Sequence, residues 1–219
     1  MATLLSVNLA VPRANPAKQT GITGIDKQPT TDPVTVHAPD TMGVSGLAGD
    51  RIFDVNVHGG PDQAVYAYAR EDLDYWTAEL GRPLPNGVFG ENVTTSGVDV
   101  TGALIGERWR LGDEVVLEVA IPRLPCNTFA HWMAEQGWIK RFTARATPGA
   151  YLRVVTPGRI RAGDPVVVVS RPDHDVTIGV TFRAVTLEPE LLPRLVDIAA
   201  LPEDVRELAS RRTAQVSGD

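Results

Sequence analysis

Cys126 is the only cysteine in the sequence, and it sits in Ile121-Pro122-Arg123-Leu124-Pro125-Cys126-Asn127, directly after the apolar run Val115 to Ile121. Each proline fixes its own φ at about −65° and biases the residue before it toward extended backbone, so the approach to the sulfur is stiff. Arg123 favours thiolate over thiol if it turns toward the same pocket. A stiffly held thiolate beside a cation suits a soft metal or a nucleophilic role. The plain alternative is a free cysteine buried as a small hydrophobe.

A second candidate is His58-Gly59-Gly60-Pro61-Asp62. Two glycines after a histidine put an imidazole beside backbone that a large ligand can approach closely; the same residues also mark an ordinary turn. Other chemistries find no support. One cysteine holds neither a disulfide nor an iron–sulfur cluster, and there is no G-x-S-x-G elbow and no H-E-x-x-H pair.

The chain has 219 residues, enough for one large or two unequal domains, and is 43% hydrophobic, enough for a sizeable core. Its 21 basic and 27 acidic side chains give a net charge of −6, which argues against a nucleic-acid polymer as partner. The N-terminus lacks a basic n-region, and the most apolar stretch, Pro165 to Val169, is too short to span a bilayer. A cytoplasmic protein with no membrane partner is expected.

The elements that must position these residues read mostly as short strands. Strands are expected over Thr3 to Leu9, Val34 to His37, Phe53 to Val57, Ala64 to Tyr68, Arg108 to Leu111, Val115 to Ile121 and Tyr151 to Val155. The residues between the first strand and Gly21 read as a polar loop. Ile160 to Ala162 is expected to pair with Val166 to Val169 across Gly163-Asp164. Arg70 to Leu80 has helical spacing with acids in its first turns, and Thr128 to Gly137 is a second candidate helix. Together these predict a mainly β protein, a β-barrel with peripheral helices, over residues 1–173. A small helical module is expected over 174–219, with helices at Pro189 to Ile198 and Pro202 to Arg212 and an ambiguous Val176 to Val185.

Several pieces in this order resemble the MOSC family, the molybdenum-cofactor-sulfurase C-terminal domain proteins. They are Gly49-Asp50-Arg51, His58 through Tyr66, Phe89-Gly90-Glu91-Asn92-Val93 and Pro122 through Cys126, with Tyr151-Leu152-Arg153-Val154-Val155 and Gly163-Asp164 following. The helical tail is similar to the three-helix module of the YiiM-like branch. The resemblance implies a MOSC-type β-barrel holding the molybdenum cofactor (molybdopterin), with Cys126 as metal ligand. It implies reduction of N-hydroxylated compounds, such as hydroxylaminopurine-type base analogues. Lys27, Arg51 and Arg123 are then candidates for the cofactor's phosphate, since anions need cations or convergent N–H groups. His58, with Gly59 and Gly60, is a candidate for the pterin or for proton donation to substrate, and Asn92 for the pterin's amide edge. Electrons would come from a separate redox protein. A non-enzymatic cofactor or sulfur carrier is the alternative, and a homodimer is left open.

Overall fold

The computed structural model describes residues 1–216. Thr3–Ala10 forms β1, burying Leu4 and Val7. Arg13–Asn15 (β2) and Gly21–Thr23 (β3) then pair as a small hairpin, within and just beyond the stretch to Gly21 expected as a polar loop. Lys27–Thr30 (β4) lies at a sheet edge, which is where its Pro29 is tolerated. Val34–Val36 forms β5. A 3₁₀ turn, Pro61–Gln63, leads into Val65–Ala69 (β6), in which every residue is buried. Helix α1 spans Arg70–Leu80 and ends at Gly81 in the left-handed region, with φ 64°.

The chain continues through Val93–Ser96 (β7), Arg108–Leu111 (β8) and Val115–Pro122 (β9). Two short helices follow, Asn127–Met133 (α2) and Trp138–Arg145 (α3). Then come Ala150–Thr156 (β10), Gly158–Ile160 (β11) and Val166–Ser170 (β12). The C-terminal segment holds Ile178–Thr186 (α4), a 3₁₀ stretch Pro189–Leu195 and Glu203–Val216 (α5). No helix among the described residues is long and apolar enough to cross a membrane.

The fold is mainly β, as expected. One eight-stranded sheet runs β12-β8-β9-β10-β6-β7-β1-β4, antiparallel except for β6 beside β7. The expected barrel closure is not reached. The sheet curls until Thr3 bridges Pro165, Leu4 N donates to Asp164 O at 2.9 Å and Val166 N to Ala2 O at 3.0 Å. Pro165 has no N–H with which to extend that contact into a ladder.

Three further expectations are corrected. Phe53 to Val57 is not a strand: Val57 N and His58 N both bond back to Asp54 O, at 3.3 and 3.2 Å, so Asp54 opens a turn and leaves Val55 and Val57 exposed. β11 and β12 do not pair with each other; β11 joins β5 and β12 joins β8. Pro189 to Ile198 is 3₁₀ over Pro189–Leu195 rather than α, with Pro193 inside it, where the ring blocks α-helical hydrogen bonding. The ambiguous Val176 to Val185 resolves to α4, capped by Thr177 Oγ1 accepting from Val180 N at 3.1 Å. The helical tail expected to residue 219 runs past the described residues.

Two apolar clusters hold these elements. One lies on the inner face of the sheet, and Ile178, Leu192, Leu195 and Leu201 of the C-terminal segment pack into it. The other is aromatic: Tyr66, Tyr68, Trp76, Phe89, Phe129, Trp138 and Phe142 join α1, α2 and α3 to β6. Ring centroids stand 4.7 Å apart for Trp76–Trp138 and 5.0 Å for both Tyr68–Phe89 and Phe89–Phe129. Trp76 is therefore a keystone for α1. Replacing it by alanine is expected to lower stability by about 3–5 kcal/mol in urea unfolding.

Candidate functional site

An open cavity lies between the β2–β3 hairpin, the loop from residue 45 to residue 59, the turn before β7, and the join of β9 to α2. Lys27, Arg51, His58, Gly59, Asn92, Arg123 and Cys126 all line it. Residues about 100 positions apart thus meet in one hollow, an arrangement that the sheet order β9-β10-β6-β7-β1-β4 makes possible. Gly60 is not among the lining residues; at φ 81° it caps the Pro61–Gln63 turn, and its N–H donates to Val44 O at 2.9 Å.

Cys126 is half-buried at the residue preceding α2, in extended backbone (φ −130°, ψ 169°). Its carbonyl accepts from Ala130 N at 3.0 Å, so the helix fixes its position. The sulfur touches the edge of the aromatic cluster yet belongs to the cavity wall. Thr128 beside it accepts from Asn15 Nδ2 at 3.0 Å, which ties the β2–β3 hairpin over the cysteine.

Arg123 is only 6% exposed. Among the described residues no carboxylate pairs with it, and its Nη1 is buried without a hydrogen-bond partner. What surrounds it is aromatic: its guanidinium carbon stands 3.7 Å from the centroid of Phe129, 5.5 Å from Tyr66 and 5.9 Å from Phe142. Cation–π contacts of this kind contribute about 2 kcal/mol when desolvated. The effective penalty for burying an unpaired charge is several kcal/mol. The aromatic faces offset only part of it, and an anion in the cavity would supply the rest.

Lys27 behaves differently. Its Nζ lies 2.6 and 2.8 Å from the two oxygens of Asp50, and both side chains are buried. Asp50 also accepts from Ser45 Oγ at 2.7 Å, Asn92 Nδ2 at 2.8 Å and Ala10 N at 2.9 Å. Burial alone would raise the Asp50 pKa; the Lys27 charge and the hydrogen bonds from Lys27, Ser45 and Asn92 outweigh it and hold the carboxyl below its ordinary value. Asp50 thus neutralises Lys27 and ties β1, β4 and the residue before β7 together in the cavity wall. Nothing in a Gly-Asp-Arg string says that the acid points inward.

Asn92 is a brace in the same network. Its Oδ1 accepts from Tyr66 N at 3.0 Å while its Nδ2 reaches Asp50, leaving one amide hydrogen for a ligand. Glu91, fully buried, accepts from Gly87 N, Phe89 N and Thr94 Oγ1 and shapes the turn before β7; burial pushes its pKa up. Arg51 is exposed at the rim. A Cβ at Gly24 would lie 2.6 Å from the Arg51 carbonyl oxygen, so glycine is what lets the chain after β3 pack there.

Burial, and after it the positive charge of Arg123, holds the His58 imidazole below its usual range, although Asp54 opposes this. This favours the neutral imidazole, with one N–H donor and one acceptor. Tyr151, whose pKa burial raises, also lines the cavity and stays protonated. Among the described residues no group of three or more His, Cys, Asp or Glu is placed to ligate a metal ion. A metal bound at Cys126 must bring ligands of its own.

Residues 54–167 match the model of the MOSC domain. The uncharacterized protein YflK of Bacillus subtilis is 32% identical over 207 residues, covering 93% of this chain and 90% of that one. A reductase of Gibberella moniliformis is 32% identical over 171 residues, 75% of this chain and 30% of the reductase. The crystal structure of YiiM from Geobacillus stearothermophilus shares the fold, with a TM-score of 0.77 and 26% identity over 97% of this chain and 99% of that one.

The buried Lys27–Asp50 pair gives a prediction with a sign. Asp50→Asn leaves a buried ammonium without its carboxylate and is expected to cost about 3–5 kcal/mol. Because the folded pKa of Asp50 lies below its unfolded value, its contribution is present above the unfolded pKa and is lost as pH falls through the folded pKa. Urea unfolding of the natural protein should therefore weaken below about pH 4, and the variant should lack that component of the acid limb.

Proposed function

We propose that this chain, which belongs to the MOSC domain family, is a molybdenum-cofactor-binding reductase of N-hydroxylated compounds with Cys126 as the protein's ligand to molybdenum. The observation that carries the reading is the pairing, in one cavity, of a thiol with a buried cation that has no carboxylate. A soft sulfur donor suits a thiophilic metal that arrives on a dithiolene. The unpaired guanidinium suits the phosphate of the same cofactor. Lys27, already held and neutralised by Asp50, belongs to the frame and is not a free partner for an anion.

The residues fit the group. Arg123 would take the phosphate and Cys126 the metal. The remaining amide hydrogen of Asn92, together with Gly59, borders the space left for the pterin. When bound, the cofactor supplies the electron pair that breaks the N–O bond of a substrate R–NH–OH. With two protons, that reduction yields the amine R–NH₂ and one water.

The chain's own residues manage those protons. His58, whose pKa burial and Arg123 lower, orients the hydroxyl through its N–H and passes on a proton taken from solvent. The Tyr151 phenol is a second donor facing the same space. The chain holds no sequence motif for a flavin, haem or iron–sulfur centre, so a separate redox protein delivers the electrons. The likeness to a protein named reductase supports an enzyme over a passive carrier.

The test is production in a host that makes the cofactor. Molybdenum content is measured per chain, along with reduction of a hydroxylaminopurine by reduced methyl viologen. The natural protein should contain molybdenum and turn over. Cys126→Ser should lose activity by at least about 100-fold, more than the loss typical for a residue one shell further from a metal. Unchanged metal and activity in that variant would remove Cys126 from the site.

A further inference from the structure

We propose that Arg153 is a positioning residue that ties the C-terminal segment to the turn beside His58, so that this segment takes part in shaping the site. That His58 serves the reaction rests on the reading above; the contact itself does not. The turn Pro61–Gln63 follows His58-Gly59-Gly60, where two glycines at φ 78° and 81° reverse the chain. On one side the stretch is held by backbone alone: Gly43 N donates to His58 O at 3.0 Å, and Gly60 N to Val44 O at 2.9 Å. On the other side its side-chain tether is Asp62, which accepts from Arg153 Nε.

Arg153 stands on β10, two residues after the cavity-lining Tyr151. Its Nη1 donates to Glu118 Oε1 on β9 at 3.2 Å and to the backbone oxygen of Ala200 at 2.8 Å. Glu118 is itself fixed by Arg108 Nε at 2.8 Å. One planar guanidinium thus joins the turn, two central strands and the C-terminal segment, in a fork that lysine cannot reproduce. The segment has little slack, since a Cβ at Gly106 would lie 2.9 Å from the Cβ of Ala200. At the other end of the path, Gln63 closes the turn beside His58.

Energy separates this role from plain stabilisation. Arg153 and Asp62 have side chains 21% and 42% exposed, and ion pairs of that kind add little to overall stability. The consequence of breaking one should be local, at the turn. A merely structural contact would change the melting temperature and leave the His58 environment alone.

The experiment compares Arg153→Gln, Arg153→Lys, Asp62→Asn and the double variant Arg153→Gln/Asp62→Asn. In cofactor-free protein, NMR follows the His58 Cε1 proton, and hydrogen exchange follows the amides of Gly60 and Gln63. Arg153→Gln and Asp62→Asn should each move the His58 resonance and speed exchange at those amides, while amides of β1 and β7 keep their rates. In loaded protein each should lower kcat by about tenfold with KM little changed, and the double variant should be no worse than either single one. Arg153→Lys should keep the Asp62 contact in part and fall between. An unmoved His58 resonance with unchanged exchange in both single variants would overturn the proposal, even if melting temperatures fall. The NMR and exchange results decide the positioning role even if no N-hydroxylated compound is reduced, so the two readings fail separately.

Discussion

A guanidinium buried in aromatic rings without a carboxylate is the constraint on which the site depends. Arg123 sits over Phe129 at 3.7 Å, and Phe129 is part of the ring cluster that carries α1, α2 and α3. The same packing that holds the helices therefore holds the charge. It also fixes the Cys126 backbone, because Phe129 lies in the first turn of the helix that Cys126 precedes. Core packing and site geometry are one structure here: loosening the aromatic cluster moves the cation and the sulfur together.

The two buried cations of the cavity are treated in opposite ways. Lys27 is matched by Asp50, and the network of Ser45, Asn92 and the Ala10 amide makes that pair part of the frame. Arg123 is left unmatched, and its charge lowers the proton affinity of His58 in addition to the effect of burial. One cation stabilises the scaffold, and the other is available to a ligand. The difference explains why counting basic residues on matching sequence segments does not rank them: Lys27 and Arg123 look equivalent in the sequence, and their surroundings make them unlike.

Much of the fold was legible in the sequence because its signals are local. Alternation gave β1, an apolar run gave β9, and acids and spacing gave α1. What was not legible depends on partners distant in the chain. Phe53 to Val57 alternates as a strand would, but Asp54 captures two amides and turns the backbone. β11 and β12 lie close in sequence, yet each found a better neighbour elsewhere. At the site, the ordered motifs pointed to residues that do meet in one cavity. The inward-facing Asp50 and the aromatic cage of Arg123 could not be read, since burial and pairing are properties of the assembled sheet.

On the proposed function, Arg123 remains an unpaired buried cation because an anionic, pterin-borne phosphate completes it. The most direct measurement is equilibrium binding of the metal-free pterin to cofactor-free protein, read by pterin fluorescence, for the natural chain and for Arg123→Gln. With the circular dichroism of the two proteins unchanged, affinity should fall by about tenfold or more in the variant, as for loss of a hydrogen bond to a charged group. Equal affinity in both proteins would contradict it.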